Sequence, residues 1–447
     1  MSLVSEDNKK KGLFVQTFGC QMNMADSEQI KASLQSHGFK DVKKPQDADL
    51  ILINTCSVRE KAEDKTGSFA HNLKNLKNDN PELKIAVTGC VAQQEGEKII
   101  QDLPFVDMVI GPDNVEEIPW ALDQIIHQRS KKIVRTEFDT EPRIWNHQTK
   151  ISNPGSSVFI NIMKGCDHFC SYCIVPMTRG REKSRPIKDI LTDVKKFADQ
   201  GVKEFYFLGQ NINTFGKRAS ESLHELFYQV ADIEKVKRMR FTTSHPGDLK
   251  PELINAFKEL PKLCSHFHLP VQSGSNKILR SMRRFYTKES YLEKVYALRE
   301  ARPDIAISTD IIVGFPGETD KDFEQTINLC EQVKFDNAYS FLFSPRPGTS
   351  ASKRVDNLSR DEKNQRLYRL QALLQDQSRE SHANYLGQTH EVMIEGRSRK
   401  DQNQFTGRNS QSVPVHFDPG SNVYTAGDLV NIKIVSSSLT SLKGELA

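Results

Sequence analysis

The chain has 447 residues, 37% of them hydrophobic and 27% charged, with a formal net charge of +4. That length is too great for one ordinary core and predicts two or three domains. Its longest apolar runs, such as Asp49–Asn54 and Ile305–Val313, are strand-sized and exclude a bilayer span, and the polar, Lys-rich start Met1–Gly12 does not read as a secretory signal. A cytoplasmic location is expected. The mild positive charge permits a nucleic-acid partner without requiring one.

In chain order, strands are expected at Leu13–Phe18, Ala48–Thr55, Lys84–Thr88 and Val106–Ile110. Helices are expected at Met24–His37 and from Arg59 to Lys77. Alternation of this kind predicts a parallel sheet covered by helices on both faces. Residues His127 to Val158 turn polar and turn-forming, and read as a linker. Alternation resumes with strands near Val158–Met163, Glu204–Leu208, Met239–Thr242, Ser265–Leu269, Ala306–Ile312 and Ala338–Phe343. The helices between include Lys188–Gln200, Glu289–Glu300 and Asp320–Lys334. Six strand-helix units predict a barrel left partly open, with its ligand at the carboxyl ends of the strands. A capping box from Ser359 to Glu362 starts a long helix that ends near Gly387. Beyond it, short alternating segments (Glu391–Glu395, Val413–His416, Leu429–Val435) predict a small all-β barrel. The fold class is therefore α/β with an all-β appendage. The expected domains are 12–128, 152–380 and 383–447.

Eight cysteines are present, and in a reducing compartment their spacing points to metal binding or catalysis before disulfides. Cys20, Cys56 and Cys90 each follow one of the first three strands named above. In an open parallel sheet those loops crowd at one edge, so three distant thiols should converge. Three separate buried cysteines are the plain alternative. The tight run Cys166-x-x-x-Cys170-x-x-Cys173 offers three thiolates to a 4Fe–4S cluster and leaves one iron open. Zinc, with His168 as a fourth ligand, is the competing reading, although zinc sites usually come as paired units. Cys264 and Cys330 read as core residues, and His245, His266 and His268 as satisfied structural histidines.

With Tyr172 before its last cysteine, this run resembles the signature of the radical S-adenosylmethionine superfamily. The resemblance implies that the cofactor chelates the open iron and is cleaved to a 5′-deoxyadenosyl radical. It places Tyr172 against the adenine, Gln210 and Asn211 near the methionyl amino group, and Ser244, Gln272 and the Gly314–Gly317 turn around the rest of the pocket. Each of those strand-end polar residues is equally a common cap or turn former.

Along its whole length the chain resembles the methylthiotransferase family, most closely the branch acting on N6-isopentenyladenosine in transfer RNA. The resemblance is carried by Gln16–Asn23, Asn54–Arg59, Met163–Cys166, Pro176–Gly180, Gly209–Asn213, Thr243–Pro246, His268–Ser275 and Ser344–Thr349. Met177 departs from it, where the branch usually has Tyr. The family likeness implies that Cys20, Cys56 and Cys90 hold a second 4Fe–4S cluster, beside the one on Cys166, Cys170 and Cys173. It implies methylthiolation of adenosine 37, with transfer RNA, an electron donor and a sulfur source as partners. It also makes the last domain a TRAM-like RNA-binding barrel, with Arg397, Arg399, Lys400 and Arg408 for phosphates and Phe405 for stacking. A monomer without membrane attachment is expected. Two alternatives stay open. Sister branches act on threonylcarbamoyladenosine or on a ribosomal-protein aspartate, and a non-catalytic iron–sulfur protein could bind RNA as a redox sensor.

Overall fold

A computed structural model of the chain describes residues 10–57, 69, 72–127, 129–138, 149–152 and 154–447. Contacts divide it into two units. The first is Met1–Asn153 with Phe159–Asp167 and Cys173–Arg185. The second is Pro154–Val158 with His168–Tyr172 and Pro186–Ala447.

In the first unit β1 (Lys11–Thr17), β2 (Phe39–Asp41), β3 (Leu50–Thr55), β4 (Lys84–Gly89), β5 (Met108–Ile110) and β6 (Ile133–Arg135) form one parallel sheet. Their order is β2-β1-β3-β4-β5-β6. The alternation of β3 explains the layers. Leu50 and Leu52 face a core with Ile30, Leu34, Leu122 and Ile125, while Ile51 and Ile53 face another with Leu73, Ala92 and Ile99. Every residue of β3 is buried, as a central parallel strand requires. Two strands correct the sequence reading. β2 went unseen, and β6 lies inside the stretch read as a linker. Each has three residues, too few for periodicity to show. Of the helix expected from Arg59 to Lys77, residues 72–77 are helical, and 59–68 with 70 and 71 lie outside the described residues. Residues 128, 139–148 and 153 of the expected linker lie outside them too.

The strand β7 (Ser157–Asn161) begins in the second unit, where the Ser156 carbonyl accepts from the amides of Lys203 and Glu204. In the first unit β8 (Met163–Lys164) pairs antiparallel with β9 (Lys183–Ser184). The second unit continues with β10 (Glu204–Leu208), β11 (Arg238–Phe241), β12 (His266–His268), β13 (Ala306–Val313) and β14 (Asn337–Leu342). β10 and β11 are parallel, as are β12, β13 and β14, and one parallel bridge between Met239 and Leu263 joins the two sets. The long helix Arg360–Ala383 opens on the expected capping box, with the Glu362 amide donating to Ser359 Oγ at 3.2 Å and the Ser359 amide to Glu362 at 2.8 Å. Among the described residues no helix is long and apolar enough to cross a membrane.

The chain ends in a closed five-stranded barrel of β15 (Thr389–Arg397), β16 (Phe405–Arg408), β17 (Pro414–Phe417), β18 (Leu429–Ser437) and β19 (Leu442–Leu446). Its β16–β17 turn is seated on β10 and β11. Buried Arg240 donates to the Asn409 and Ser410 carbonyls and to Ser412, and its Nε lies 2.6 Å from Glu204 Oε1. Arg238 donates to the carbonyls of Arg408 and Glu391. Arg240→Ala would strand a buried Glu204 carboxylate, a loss of about 3–5 kcal/mol. We expect a matching fall in the urea-unfolding midpoint of this unit, followed by circular dichroism.

Candidate functional site

The first unit brings Cys20, Cys56 and Cys90 together. β1, β3 and β4 are neighbours in the sheet, and each thiol follows one of them at the carboxyl edge. Cys20 caps the helix Gln21–Gln35 in extended conformation, and its thiol and amide both reach Asn23 Oδ1 at 3.3 Å. Asn23 is fully buried and donates to Asn54 Oδ1 at 3.0 Å and to the Thr55 carbonyl at 2.9 Å. Asn54 answers with bonds to the Asn23 carbonyl and Ser27, and Thr55 Oγ1 donates to the Thr88 carbonyl. These bonds tie the three loops to one another through side chains the thiols do not need. Two glycines permit the approach. At Gly19 (φ +149°) a Cβ would stand 2.7 Å from Cys56 Cβ, and at Gly89 (φ +91°) 2.3 Å from the Thr55 carbonyl.

Arg179, 6% exposed, supplies a cation to this group. Its Nε donates to Cys90 Sγ at 3.3 Å and its Nη1 to Asp26 at 2.7 Å. A hydrogen bond with Cys56 pulls the Cys20 thiol down to about 6 against the opposing effect of burial, helped by Arg179 and the Asn23 and Met22 amides. The arrangement favours the thiolate of Cys20, which is the form that binds iron. No disulfide joins any of the eight cysteines.

The second cysteine run is divided between the units, with Cys166 and Cys173 in the first and His168–Tyr172 in the second. In the first unit the Cys166 amide donates to the Gly180 carbonyl at 3.2 Å. Gly165 (φ +76°) lies so close to Arg181 that a Cβ would meet its carbonyl at 2.2 Å. In the second unit buried Cys170 accepts from Arg284 Nη1 at 3.5 Å. The Ser171 amide donates to Met282, and Tyr172 packs against Ile278, Met282, Phe315 and Phe343. His168 is hydrogen-bonded to Asp248 and stacked on His245, with ring centroids 3.8 Å apart and planes 7° from parallel.

The expected pocket residues stand at successive strand ends of the second unit. Gln210 and Asn211 follow β10, Ser244 follows β11, Gln272 follows β12 and Gly314–Gly317 follows β13. Gln210 Oε1 and Asn211 Oδ1 are buried without a protein partner, and so are Asn213 Oδ1 and His245 Nε2, which were not expected in the pocket. Asn211 Nδ2 donates to Asp248 at 2.7 Å, which fixes the side-chain amide and leaves its oxygen without a protein donor. Burial, then Arg284 and His168, drive the His245 pKa far down, so the ring is neutral. Its Nδ1 accepts from the Gly247 amide, which puts the proton on the unpartnered Nε2. Ser244 and Gln272 are instead bound locally, Ser244 to the His268 carbonyl and Gln272 through its backbone to Asp310 and Ile312.

Cys264 and Cys330 are core residues as expected. Burial raises both thiols, Cys330 to about 12. His266 and His268 are held by Ser308, while His245 is not fully satisfied. Two expectations fail in the last barrel. Phe405 is 5% exposed and packs in its core with Phe417 and Tyr424, so it is no stacking platform. Arg408 also leaves the basic group. Antiparallel register places Arg397 opposite Phe405 and Arg408 opposite Met393, at the other end of β16. Arg397, Arg399 and Lys400 remain exposed. Asn23, Asn54, Arg179 and Asp248 acquire roles that sequence reading did not give them, although the first three lie within the resembling stretches.

Three family models match in succession. Uncharacterized protein family UPF0004 covers residues 12–111, the radical SAM superfamily 160–330 and the TRAM domain 383–447. A tRNA-2-methylthio-N(6)-dimethylallyladenosine synthase of Geobacter metallireducens is 43% identical over 98% of this chain and 99% of its own. That of Syntrophus aciditrophicus is 44% identical over 98% and 95%. Among solved structures, the radical S-adenosylmethionine methyltransferase TsrM from Kitasatospora setae is similar in fold, with a TM-score of 0.57 at 15% identity over 77% of each chain. The cobalamin-dependent radical enzyme OxsB follows at 0.52 and 10%, over 83% of this chain and 57% of its own. The chain belongs to the family of tRNA-2-methylthio-N(6)-dimethylallyladenosine synthases, within the radical SAM superfamily.

Proposed function

We propose that this enzyme converts N6-isopentenyladenosine (the dimethylallyladenosine of its relatives' names) at position 37 of transfer RNA to the 2-methylthio form. It uses S-adenosylmethionine and two 4Fe–4S clusters, one on Cys166, Cys170 and Cys173 and the other on Cys20, Cys56 and Cys90. The observation that carries the second assignment is the meeting of three thiols from β1, β3 and β4 around the Arg179 cation. A core cysteine needs neither a cation nor a lowered pKa.

The residues fit the groups they would hold. Cys20 is disposed toward thiolate, and Arg179 offsets the negative charge that three thiolates accumulate. Asn23 and Asn54 fix the loops so that the thiols are presented before any iron arrives. In the second unit, Gln210, Asn211 and Asn213 offer buried acceptors to an ammonium group, while His245 offers a donor to a carboxylate or hydroxyl. The His168–Asp248 bond anchors the loop that carries Cys170. When bound, the reduced cluster of Cys166, Cys170 and Cys173 supplies the electron that cleaves S-adenosylmethionine, and the other supplies a site for the sulfur. Everything else is positioning by these side chains. We assign residues 12–128, 152–380 and 383–447 to the second-cluster, barrel and RNA-binding domains, with Arg397, Arg399 and Lys400 on RNA phosphates.

Anaerobic turnover of reconstituted enzyme with two RNAs, one isopentenylated and one threonylcarbamoylated, tests the reading by nucleoside mass spectrometry. A methylthio mass gain on the isopentenylated adenosine alone is expected. Gain on the other RNA alone would move the enzyme to a sister branch.

A further inference from the structure

β12, β13 and β14 run parallel and in register, so one face can be followed across all three. His268 pairs with Ser308, Asp310 with Tyr339 and Ile312 with Phe341. These six residues share a face. The opposite face of β13, with Ile307, Ile311 and Val313, is buried, and the helix Arg360–Ala383 packs against β13 and β14. In an α/β barrel the helices lie outside, so the face without them is the inner one.

Along β14 that inner face is open. β14 alternates strictly, with Asn337, Tyr339 and Phe341 exposed and the residues between them partly buried. Tyr339 is 47% exposed and Phe341 36%. Phe is among the residue types most often fully buried. Beside the two rings stands a polar wall. Ser308 Oγ lies 2.9 Å from His268 Nδ1, and His268 Nε2 lies 3.4 Å from Asp310. The Tyr339 ring meets His268 edge-on, with centroids 6.4 Å apart. The face continues directly into the ring of strand-end residues, because the Gln272 amide donates to the Asp310 carbonyl and its own carbonyl accepts from Ile312.

We propose that this face selects the nucleoside: Tyr339 and Phe341 receive the N6 alkyl chain, and the His268–Asp310 pair faces the purine. The inference rests on the function proposed above and names the residues that set its specificity. The chemistry is matched on both sides. A branched five-carbon alkene is wholly apolar and suits two adjacent aromatic rings. A threonylcarbamoyl group carries a carboxylate, which those rings would desolvate without a partner, next to Asp310.

The test compares two anticodon stem-loops of one sequence, one with isopentenyladenosine and one with unmodified adenosine, by competition binding to the reconstituted enzyme. Wild type should prefer the isopentenylated RNA. Tyr339→Ala and Phe341→Ala should each reduce that preference roughly ten-fold, the discrimination a few apolar contacts provide, whereas Phe341→Leu should keep most of it. The ratio is taken within one protein sample, so a fraction of misfolded variant cancels. An unchanged ratio in both alanine variants, with wild type still making methylthio product, overturns this proposal alone. Wild type that methylthiolates only the threonylcarbamoylated RNA overturns the function and this proposal with it.

Discussion

Cys166→Ala is expected to reduce 5′-deoxyadenosine formation from S-adenosylmethionine to background, and with it all methylthio product. The loop around this residue is rooted by backbone. Its amide donates to Gly180 and its neighbour Gly165 is pressed against Arg181, so an alanine leaves the turn intact and removes only the thiolate. A cluster already one cysteine short of four cannot lose another and keep an open iron in a defined place. Anaerobic reconstitution followed by iron and sulfide analysis would show roughly half the wild-type content, the share expected when one of two clusters is lost. Cys330→Ala is the matched control. That thiol is buried on the helix Asp320–Val333 and raised to about 12 by burial. Its loss should cost about 1 kcal/mol of stability and leave iron content and turnover unchanged. Full cleavage activity in Cys166→Ala would sink the assignment of the loop.

Much of this was legible in the sequence because its signals are local. β3 is a continuous apolar run, the Ser359 capping box spans four residues, and each of Cys20, Cys56 and Cys90 follows its strand directly. The convergence of those thiols required only that three strands be neighbours, and the order β1-β3-β4 makes them so. What escaped depends on distance or on register. Arg179 reaches Cys90 across 89 residues, and no spacing rule connects a cation in one motif to a thiol in another. Phe405 sits among basic and polar residues, yet the alternation of β16 and its pairing with the fully buried Phe417 turn the ring inward. Tyr339 and Phe341 fail in the reverse sense. Alternating apolar residues in a strand normally mark a core face, and only the fold reveals that this face opens inward without a helix to cover it.

Cys56→Ala should separate the two halves of the reaction: 5′-deoxyadenosine still forms, while the methylthio product disappears. Cys56 is 1% exposed and lies at the carboxyl end of β3, in the unit that contains the six-stranded sheet. Its hydrogen bond is the largest influence holding Cys20 toward thiolate, so the substitution weakens two of three thiol positions at once. The scaffold should survive. Asn23, Asn54, Thr55 and Thr88 are bonded to one another and not through the Cys56 side chain. Cys56→Ser sharpens the comparison, since a hydroxyl can keep a hydrogen bond to Cys20 but is a poor ligand for iron. Both variants should lose the iron of one cluster, keep S-adenosylmethionine cleavage, and yield no methylthio nucleoside by mass spectrometry. Rescue by serine would mean that Cys56 acts through Cys20 rather than as a ligand. Methylthio product from the alanine variant would reduce Cys20, Cys56 and Cys90 to cysteines without a metal. Arg179 and the lowered Cys20 pKa would then be left without a function.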